Sequence, residues 1–234
     1  GLPGSDVFPS NGTCSAENIS VTGCNGETTL ESDGIIYDLV EIGGQCWFAD
    51  NLSADQYRNG DLITSDLNNA AWTASVQGAM AHYNNNVAND AVYGKLYNWY
   101  AVTDSRGVCP AGWHVPNDCE WMFLENSLGM LVNEQEIYGW RGEIGEIGGK
   151  LKSTSIWNSP NTAGTNSSGF TAVPGGYRNQ TGSYFEIGNT GSYWSSSALD
   201  ASNAWFRKLF FNYSNSNRYY ISKKAGFSVR CLKD

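Results

Sequence analysis

The fold of this chain is decided by the stretch Gly226-Phe227-Ser228-Val229-Arg230-Cys231, which lies close to its C-terminal end. A second stretch, Cys109-Pro110-Ala111-Gly112-Trp113-His114-Val115-Pro116, supplies a partner for the closing cysteine. A disulfide that closes so long a loop stabilises the folded state by about 4 to 5 kcal/mol in the chain-entropy model. The two stretches therefore predict a stapled scaffold that displays the segment between them.

The composition indicates one large domain that carries no nucleic-acid surface. The chain has 234 residues and a formal net charge of -9, and its few basic residues form no cluster. Nucleic-acid binding needs a positive footprint, so a nucleic-acid partner is not expected. No apolar run reaches the length of a bilayer span, so membrane insertion is not expected either. The start at Gly1 predicts a mature or excised fragment.

The six cysteines predict disulfides and an oxidising compartment. Six cysteines allow fifteen connectivities. Metal binding is the alternative, but the chain has no C-x-x-C motif and its two histidines, His82 and His114, are far apart. No metal ligand is therefore assigned. The spacing of the cysteines favours the pairs Cys14–Cys24 and Cys109–Cys231, which leaves Cys46–Cys119.

The sequence divides into a linker-like segment, residues 1–33, and a domain, residues 34–234. The first segment is rich in Gly, Ser, Asn and Thr and has no periodicity. Its opening, Gly1-Leu2-Pro3-Gly4-Ser5-Asp6, matches two Gly-X-Y triplets. Those triplets fit the end of a collagen-like stalk, which would impose a homotrimer, or an ordinary linker. Both interpretations stay open.

Local patterns predict an α+β fold with two helices, short antiparallel strands and long loops. One helix is predicted between Tyr93 and Val102, where apolar residues recur at helical spacing. A second follows Asn117, which can form a capping box with Glu120. Residues 139–192 are predicted to be loop-like. Strands are predicted over 36–42, over 204–211 and 219–222, and over 227–231, where alternation predicts one buried face.

Several rare phrases resemble the Fibrobacter succinogenes major paralogous domain family of secreted bacterial proteins. The resemblance covers about residues 34 to 232. The matching phrases are Tyr37-Asp38-Leu39-Val40-Glu41-Ile42-Gly43 with Gln45, Trp47 and Asn51-Leu52, then Leu96-Tyr97-Asn98-Trp99-Tyr100-Ala101, Cys109 through Pro116, Glu120-Trp121, Gly175-Gly176-Tyr177-Arg178, Tyr193-Trp194-Ser195-Ser196 and Gly226 through Cys231.

The resemblance implies a C-type lectin-like fold, in the branch that includes the formylglycine-generating enzyme. That branch also contains the variable proteins of diversity-generating retroelements, which contact ligands just before the last strand. The calcium-dependent sugar-binding signatures Glu-Pro-Asn and Trp-Asn-Asp are absent here. No cofactor is expected, although scattered oxygen ligands leave a structural calcium ion open.

The segment from Phe211 to Tyr220 is the best candidate for a binding surface. It is rich in Tyr, Ser and Asn, the composition that paratopes use for adaptable recognition. The alternative is a solvated hairpin tip, because Asn and Ser are also turn residues. Five tryptophans inside the matching phrases, Trp47, Trp99, Trp113, Trp121 and Trp194, are predicted to pack in the core instead. The candidate ligand-binding residues are Trp205, Tyr213, Asn215, Asn217, Tyr219 and Tyr220.

Signals for an enzyme are weak. The formylglycine-generating type requires a reactive cysteine pair, whereas all six cysteines here have plausible disulfide partners. Glu143 and Glu146 lie in a Gly-rich loop that does not position them as acid and base. Ser195 has no evident histidine base. No catalytic residue is therefore assigned.

The sequence as a whole predicts an extracellular or cell-surface bacterial adhesion module without enzymatic activity. Its ligand is expected to be a glycan or a protein on another surface. The alternatives are a structural subunit of a surface filament, or the head of a fibre, and an enzyme related to the formylglycine-generating type.

Overall fold

The computed structural model describes residues 14–15 and 18–234. The Gly-X-Y triplets of residues 1–6 lie outside the described residues. The strands are β1 (Thr29–Ser32), β2 (Ile35–Ile42), β3 (Gln45–Phe48), β4 (Met80–Ala81), β5 (Leu96–Asn98), β6 (Trp113–His114), β7 (Gly139–Arg141), β8 (Gly175–Arg178), β9 (Tyr184–Ile187), β10 (Thr190–Ala198), β11 (Asn203–Phe210), β12 (Ser216–Ser222), β13 (Gly226–Phe227) and β14 (Leu232–Lys233). The α-helices are α1 (Asn69–Ala74), α2 (Asp90–Tyr93), α3 (Trp99–Val102), α4 (Asp118–Ser127) and α5 (Ile147–Leu151), with 3-10 turns at Tyr83–Asn85, Val87–Asn89 and Val132–Glu134.

Two sheets organise the chain into an α+β fold. The smaller sheet has the strand order β1-β2-β3-β14-β6, and the larger has the order β4-β5-β13-β8-β10-β11-β12-β7, with β9 paired to β8. Most neighbouring strands are antiparallel, whereas β8 and β10 run parallel. The strands β13 and β14, which belong to different sheets, are joined by residues 228–231. The end of the chain therefore connects the two sheets.

Helix α4 begins as its sequence predicts. The Asn117 side chain accepts a hydrogen bond from the Glu120 backbone N–H, and the Glu120 carboxylate accepts one from the Asn117 N–H. This capping box satisfies two amide donors that the first turn of a helix otherwise leaves unpaired. The apolar face of the helix then packs into the core, where Trp121 and Leu124 are fully buried.

The predicted tryptophan core is confirmed for four of its five members. Trp47 and Trp121 are buried in one hydrophobic cluster, and Trp113 and Trp194 in another. Trp99 is partly buried against the second cluster. Trp47 packs at 5.0 Å from Trp121, measured between ring centroids. These large apolar surfaces stabilise a fold whose strands are short.

The last strand was predicted to have one buried face, and this prediction was wrong. Ser228 and Arg230 are buried as completely as Val229 and Cys231. The segment passes between the two sheets, so it has no solvent face. The Arg230 guanidinium is satisfied by carbonyl oxygens of Phe48 (2.9 Å), Phe170 (2.6 Å) and Thr171 (3.0 Å) and by the Asn51 side chain (2.8 Å).

The helix predicted between Tyr93 and Val102 is interrupted by a strand. Helix α2 ends at Gly94, which has a positive φ of 67°. A Cβ atom there would lie 2.5 Å from the Cβ of Asn51, so both the backbone conformation and the space require glycine. Strand β5 follows and pairs with β4 and β13. Pairing with distant strands thus overrides the local helical spacing.

The prediction that residues 139–192 form a loop was also wrong. The segment contains β7, α5, β8, β9 and the start of β10. Its strands are short and rich in glycine, so they carry little of the alternation that marks a strand in sequence. Their partners, such as β12 for β7, lie far away along the chain.

All six cysteines form disulfides, and the predicted pair Cys109–Cys231 is confirmed. The other two predicted pairs were wrong, because Cys14 bonds to Cys119 and Cys24 bonds to Cys46. Residues 20–24 run beside β3, where the Cys46 N–H donates to the Thr22 carbonyl oxygen (2.9 Å), and this contact places Cys24 next to Cys46. Three disulfides indicate a non-cytoplasmic protein.

Candidate functional site

The candidate residues lie on the β11–β12 hairpin, at one end of the larger sheet. Trp205 is the cross-strand partner of Tyr220, and Lys208 is the partner of Asn217. Side chains alternate across a sheet, so these two pairs point to opposite faces. The structure therefore divides the predicted residues into two groups. The inner group lies on the face of the hairpin that packs against helix α4, and the outer group lies on the opposite face, near β7.

The inner group is built around Trp205. The Trp205 ring is only 8 % exposed and stacks on Tyr138, with 5.4 Å between ring centroids and 10° between the ring planes. The Arg218 guanidinium lies 3.8 Å from the centroid of Trp205, and Tyr220 meets it edge-on at 6.0 Å. Trp205 is thus a platform that holds more exposed aromatic rings in place.

The outer group is built around Trp140, which lies on β7, an edge strand of the larger sheet. Trp140 is the cross-strand partner of Asn217. Its ring meets Tyr213 edge-on, with 4.6 Å between centroids. Tyr213 also lies 5.7 Å from Phe210, between ring centroids. The connection between β11 and β12 therefore folds back on β7.

Tyr219 extends the inner group at the surface. Its ring stacks on Tyr220 with 4.8 Å between centroids. The exposed fractions are 57 % for Tyr138, 44 % for Tyr219 and 42 % for Tyr213. We call the side chains of Tyr138, Trp140, Tyr213, Tyr219 and Tyr220 the aromatic surface.

The backbone carbonyl oxygens of the loop that carries Tyr213 accept hydrogen bonds from helix α5 and from Lys152, the residue that follows it. The Lys152 ammonium donates to the carbonyl oxygens of Thr162 and Tyr213, both at 2.9 Å, and of Phe210 at 3.2 Å. Burial lowers the pKa of Lys152 to about 8. The Gly149 N–H donates to the Ser214 carbonyl oxygen at 3.0 Å. These contacts order the loop without using the side chains that face solvent.

Asn215 lies in the same loop but points inward. Its side-chain Oδ1 is buried and accepts no hydrogen bond within the part of the chain that the structure describes. Asn217 is half-buried on the outer face. Of the six predicted residues, three lie in the aromatic surface: Tyr213, Tyr219 and Tyr220.

A buried charge cluster supports the hairpin from below. Asp118 accepts hydrogen bonds from Arg207 (2.6 Å) and Arg218 (2.6 Å), while Glu125 accepts from Arg207 (3.1 Å) and Arg141. Burial alone would raise the pKa of Asp118, but the charges of the two arginines outweigh it and hold the pKa below its usual value. This cluster fixes Arg218, and with it the platform of the inner group.

A cleft of about 500 Å³ opens between the N-terminal end of α4 and the inner group. Tyr138, Trp205 and Arg218 form one wall, and residues 197–199 form part of the other. Aromatic, hydroxyl, carboxylate and guanidinium groups thus meet in one concave site. Such a mixture of ring faces and fixed polar groups is typical of ligand pockets.

The comparison with protein families matches residues 40–233 to the model of the Fibrobacter succinogenes major domain. The match covers most of the chain and includes both the β11–β12 hairpin and β7. The chain belongs to the Fibrobacter succinogenes major domain family. No curated protein matches this family member, and no solved structure matches it.

Two residues of this domain's aromatic surface were missed from sequence. Tyr138 and Trp140 flank Gly139, where the segment predicted to be a loop, residues 139–192, begins. Two aromatic residues at a spacing of two are a signal that could have indicated a short strand. In the structure Tyr138 packs with the inner group and Trp140 with the outer group. Nothing local indicated that this strand pairs with β12.

The side chains that were considered for catalysis are dispersed in this family member. Glu143 and Glu146 are exposed, and Ser195 is buried with its Oγ accepting from the Ser197 N–H at 3.1 Å. His114 contacts Glu120 at 3.0 Å and Asp234 at 2.7 Å. Burial lowers the pKa of His114, but these two carboxylates raise it above the ordinary value overall.

The described part of the domain contains no group of three or more His, Cys, Asp or Glu side chains positioned to hold a metal ion. Among the same residues, no helix is both long enough and apolar enough to cross a membrane.

Proposed function

We propose that this domain is an extracellular or cell-surface bacterial binding module without enzymatic activity. Its ligand is a glycan or a protein, and the aromatic surface with the adjoining cleft contacts it. The C-type lectin-like fold that the sequence resemblance implies forms part of this proposal. A mixed α+β architecture held by three disulfides is compatible with that fold.

The observation that carries the proposal is the exposure of several aromatic rings around β7 and the β11–β12 hairpin, at one edge of the larger sheet. Tyr138, Tyr213 and Tyr219 are each more than two-fifths exposed, although each packs against a neighbouring ring. Tyrosine and tryptophan offer large amphipathic contact areas at a low cost in side-chain entropy. Concentrations of such residues at a protein surface are typical of recognition sites.

The support beneath these rings favours binding over a merely solvated hairpin tip. Lys152 and α5 order the loop, and the buried charge cluster orders Arg218. The conformational cost of ordering the site is therefore met before a ligand arrives, which raises affinity for a given contact area.

The chemistry of the cysteines argues against the formylglycine-generating type of enzyme. That type needs a reactive cysteine pair, and all six cysteines of this chain are in disulfides. A nucleic-acid ligand is also disfavoured, because the net charge of -9 offers no release of counterions.

A structural role in a surface filament is the second candidate. It is favoured by the position of Trp140 on β7, which is an edge strand of the larger sheet. Exposed edge strands can pair with another copy of the chain. In this case the aromatic surface would form subunit contacts, and the protein would associate with itself as concentration increases.

The test is a triple variant, Tyr213→Ser, Tyr219→Ser and Tyr220→Ser, assayed on a glycan array, in pull-downs from target cells and by cell attachment. We expect the variant to keep the wild-type circular dichroism spectrum and to lose attachment. Phe185→Ser is the control, because Phe185 is a similarly exposed aromatic side chain on the distant strand β9.

Three outcomes would contradict the proposal. A folded triple variant that still attaches would place the site elsewhere. A triple variant that misfolds would assign these tyrosines to the core. A wild-type protein that binds no glycan or cell surface but assembles in sedimentation experiments, through the same tyrosines, would support the filament role instead.

A further inference from the structure

A second cavity is lined by residues that are distant in sequence from those of the aromatic surface. It has a volume of about 380 Å³ and lies between the start of β2, the segment 50–53 and helix α2. Its polar lining includes Asp50, Asp90 and Lys95, and its apolar lining includes Ile36 and Val92. None of the residues of the aromatic surface takes part in it.

Asp90 has one carboxylate oxygen without a partner. Its Oδ2 atom lies 2.7 Å from Nδ1 of His82 and 3.9 Å from Nζ of Lys95. Its Oδ1 atom is buried and accepts no hydrogen bond from any described residue. A buried acceptor that is left unpaired is unfavourable, so a donor supplied by a ligand would be stabilised there.

The charges around the cavity are predominantly negative. Lys95 is the cation of the lining, and its Nζ atom already donates to the Ser53 carbonyl oxygen (2.8 Å) and to Asp55. Asp50 and Asp90 remain as acidic groups of the lining. Burial, and then the charges of Asp33, Asp50 and Asp55, raises the pKa of the Tyr37 phenol to about 12. The cavity therefore favours a cationic group.

The rim of the cavity is apolar and open to solvent. Ile36 is 65 % exposed and Val92 is 51 % exposed, although both are large hydrophobic side chains. Ala91 beside them is exposed as well. A ligand that carried an apolar stem would cover this surface while its polar end reached Asp90.

We propose that this cavity binds a primary ammonium group carried on a short aliphatic chain, as in a lysine side chain or a simple alkylamine. The ammonium donates to Oδ1 of Asp90 once rotation of the carboxylate about its Cβ–Cγ bond turns this buried oxygen toward the cavity, and the aliphatic stem lies against Ile36 and Val92. A calcium ion fits less well, since it takes six to eight oxygen ligands and the described residues contain no group of three or more His, Cys, Asp or Glu side chains placed to hold a metal ion.

The experiment is a titration of the full chain followed by amide signals in two-dimensional NMR. The probes are Nα-acetyl-lysine methylamide, n-butylammonium, Nα-acetyl-norleucine methylamide and calcium chloride. We expect both ammonium probes, but neither of the other two, to shift the signals of Ala91, Val92 and Gly94. Equal affinity for the two ammonium probes identifies a free alkylamine as sufficient, whereas tighter binding of the lysine derivative identifies a polypeptide source.

Matched variants separate the specific site from general attraction to an acidic protein. Asp90→Asn removes one charge inside the cavity, and Asp38→Asn removes one on the exposed side of β2. We expect Asp90→Asn to weaken ammonium binding at least about tenfold, since hydrogen bonds to charged groups are worth that much, and Asp38→Asn to leave it unchanged. Val92→Ser should also weaken binding, whereas Val87→Ser, at a more exposed valine outside the cavity, should not.

Each of the following outcomes would overturn the proposal. Equal losses in Asp90→Asn and Asp38→Asn would show nonspecific attraction. Equal binding of the norleucine derivative would show that the ammonium group is not recognised, and shifts with calcium alone would identify a metal site. Should Asp90→Asn unfold, which its own NMR spectrum reports, an undiminished affinity of Val92→Ser would still exclude the proposed pose.

Discussion

At the scale of single residues, buried charges fix the geometry of the candidate site. Glu125 is completely buried and accepts hydrogen bonds from Arg141, Arg207 and the Ser216 hydroxyl (2.9 Å). Each of these partners lies on a strand of the larger sheet, whereas Glu125 lies on α4. One carboxylate thus joins the helix to three strands.

We expect Glu125→Ala to lower the free energy of unfolding by about 3 to 5 kcal/mol, because it leaves Arg141 buried without its carboxylate partner and removes one of the two carboxylates that pair with Arg207. The measurement is chemical denaturation at neutral pH. Glu143→Ala is the control, since Glu143 is exposed and its loss should change stability by no more than about 0.5 kcal/mol. Similar small losses in both variants would show that the cluster contributes little to stability.

At the scale of elements, helix α5 is the support of the β11–β12 connection. A Cβ atom on Gly148 would lie 2.1 Å from the Asn215 carbonyl oxygen and 3.1 Å from that of Ser214. Both contacts are to backbone, so no side-chain movement can relieve them. The close approach of helix and loop depends on this glycine.

Gly148→Ala is therefore expected to displace the loop, with a loss of about 1 to 3 kcal/mol in stability and weaker attachment to the ligand. Hydrogen exchange at residues 212–215 should become faster. Gly60→Ala is the control, because Gly60 has a φ of 86° but nothing within 4 Å of its Cβ position. It should lose some stability through backbone strain and keep full attachment. Unchanged exchange in Gly148→Ala would contradict the role assigned to α5.

At the scale of the whole molecule, the three disulfides connect the separate parts of the fold. Cys109–Cys231 closes a separation of 122 residues, and Cys24–Cys46 closes one of 22. The first ties the segment before β6 to the segment that joins the two sheets. The second ties residues 20–24 to β3.

The double variant Cys109→Ala/Cys231→Ala should lose about 5 kcal/mol, against about 3 kcal/mol for Cys24→Ala/Cys46→Ala, because the longer loop restricts the unfolded chain more strongly. Denaturation of both variants measures the difference, and peptide mapping under non-reducing conditions checks the pairing. Peptides that link Cys14 to Cys24, or Cys46 to Cys119, would show that the connectivity described above is wrong.

Whether an element could be predicted depends on how far apart along the chain the residues that determine it lie. The capping box of α4 and the strands around residues 36–42 and 204–211 depend on residues two to four positions apart, and these predictions were confirmed. The segment 93–102 has helical spacing too, yet pairing with β4 and β13 converts its middle into a strand. Local periodicity therefore decides an element only where distant partners do not compete for its backbone.

By itself the sequence determined the α+β class, the Cys109–Cys231 pair, the start of α4 and the burial of Trp47, Trp113, Trp121 and Trp194. These features follow from composition, from short-range spacing and from phrases that resemble a known family. Only the tertiary structure decided the partners of Cys14 and Cys24, the burial of both faces of residues 228–231, and the meeting of Tyr138 and Trp140 with the β11–β12 hairpin. The physical reason is that these contacts join residues far apart along the chain, and packing selects such partners only when the two sheets assemble around the final strand.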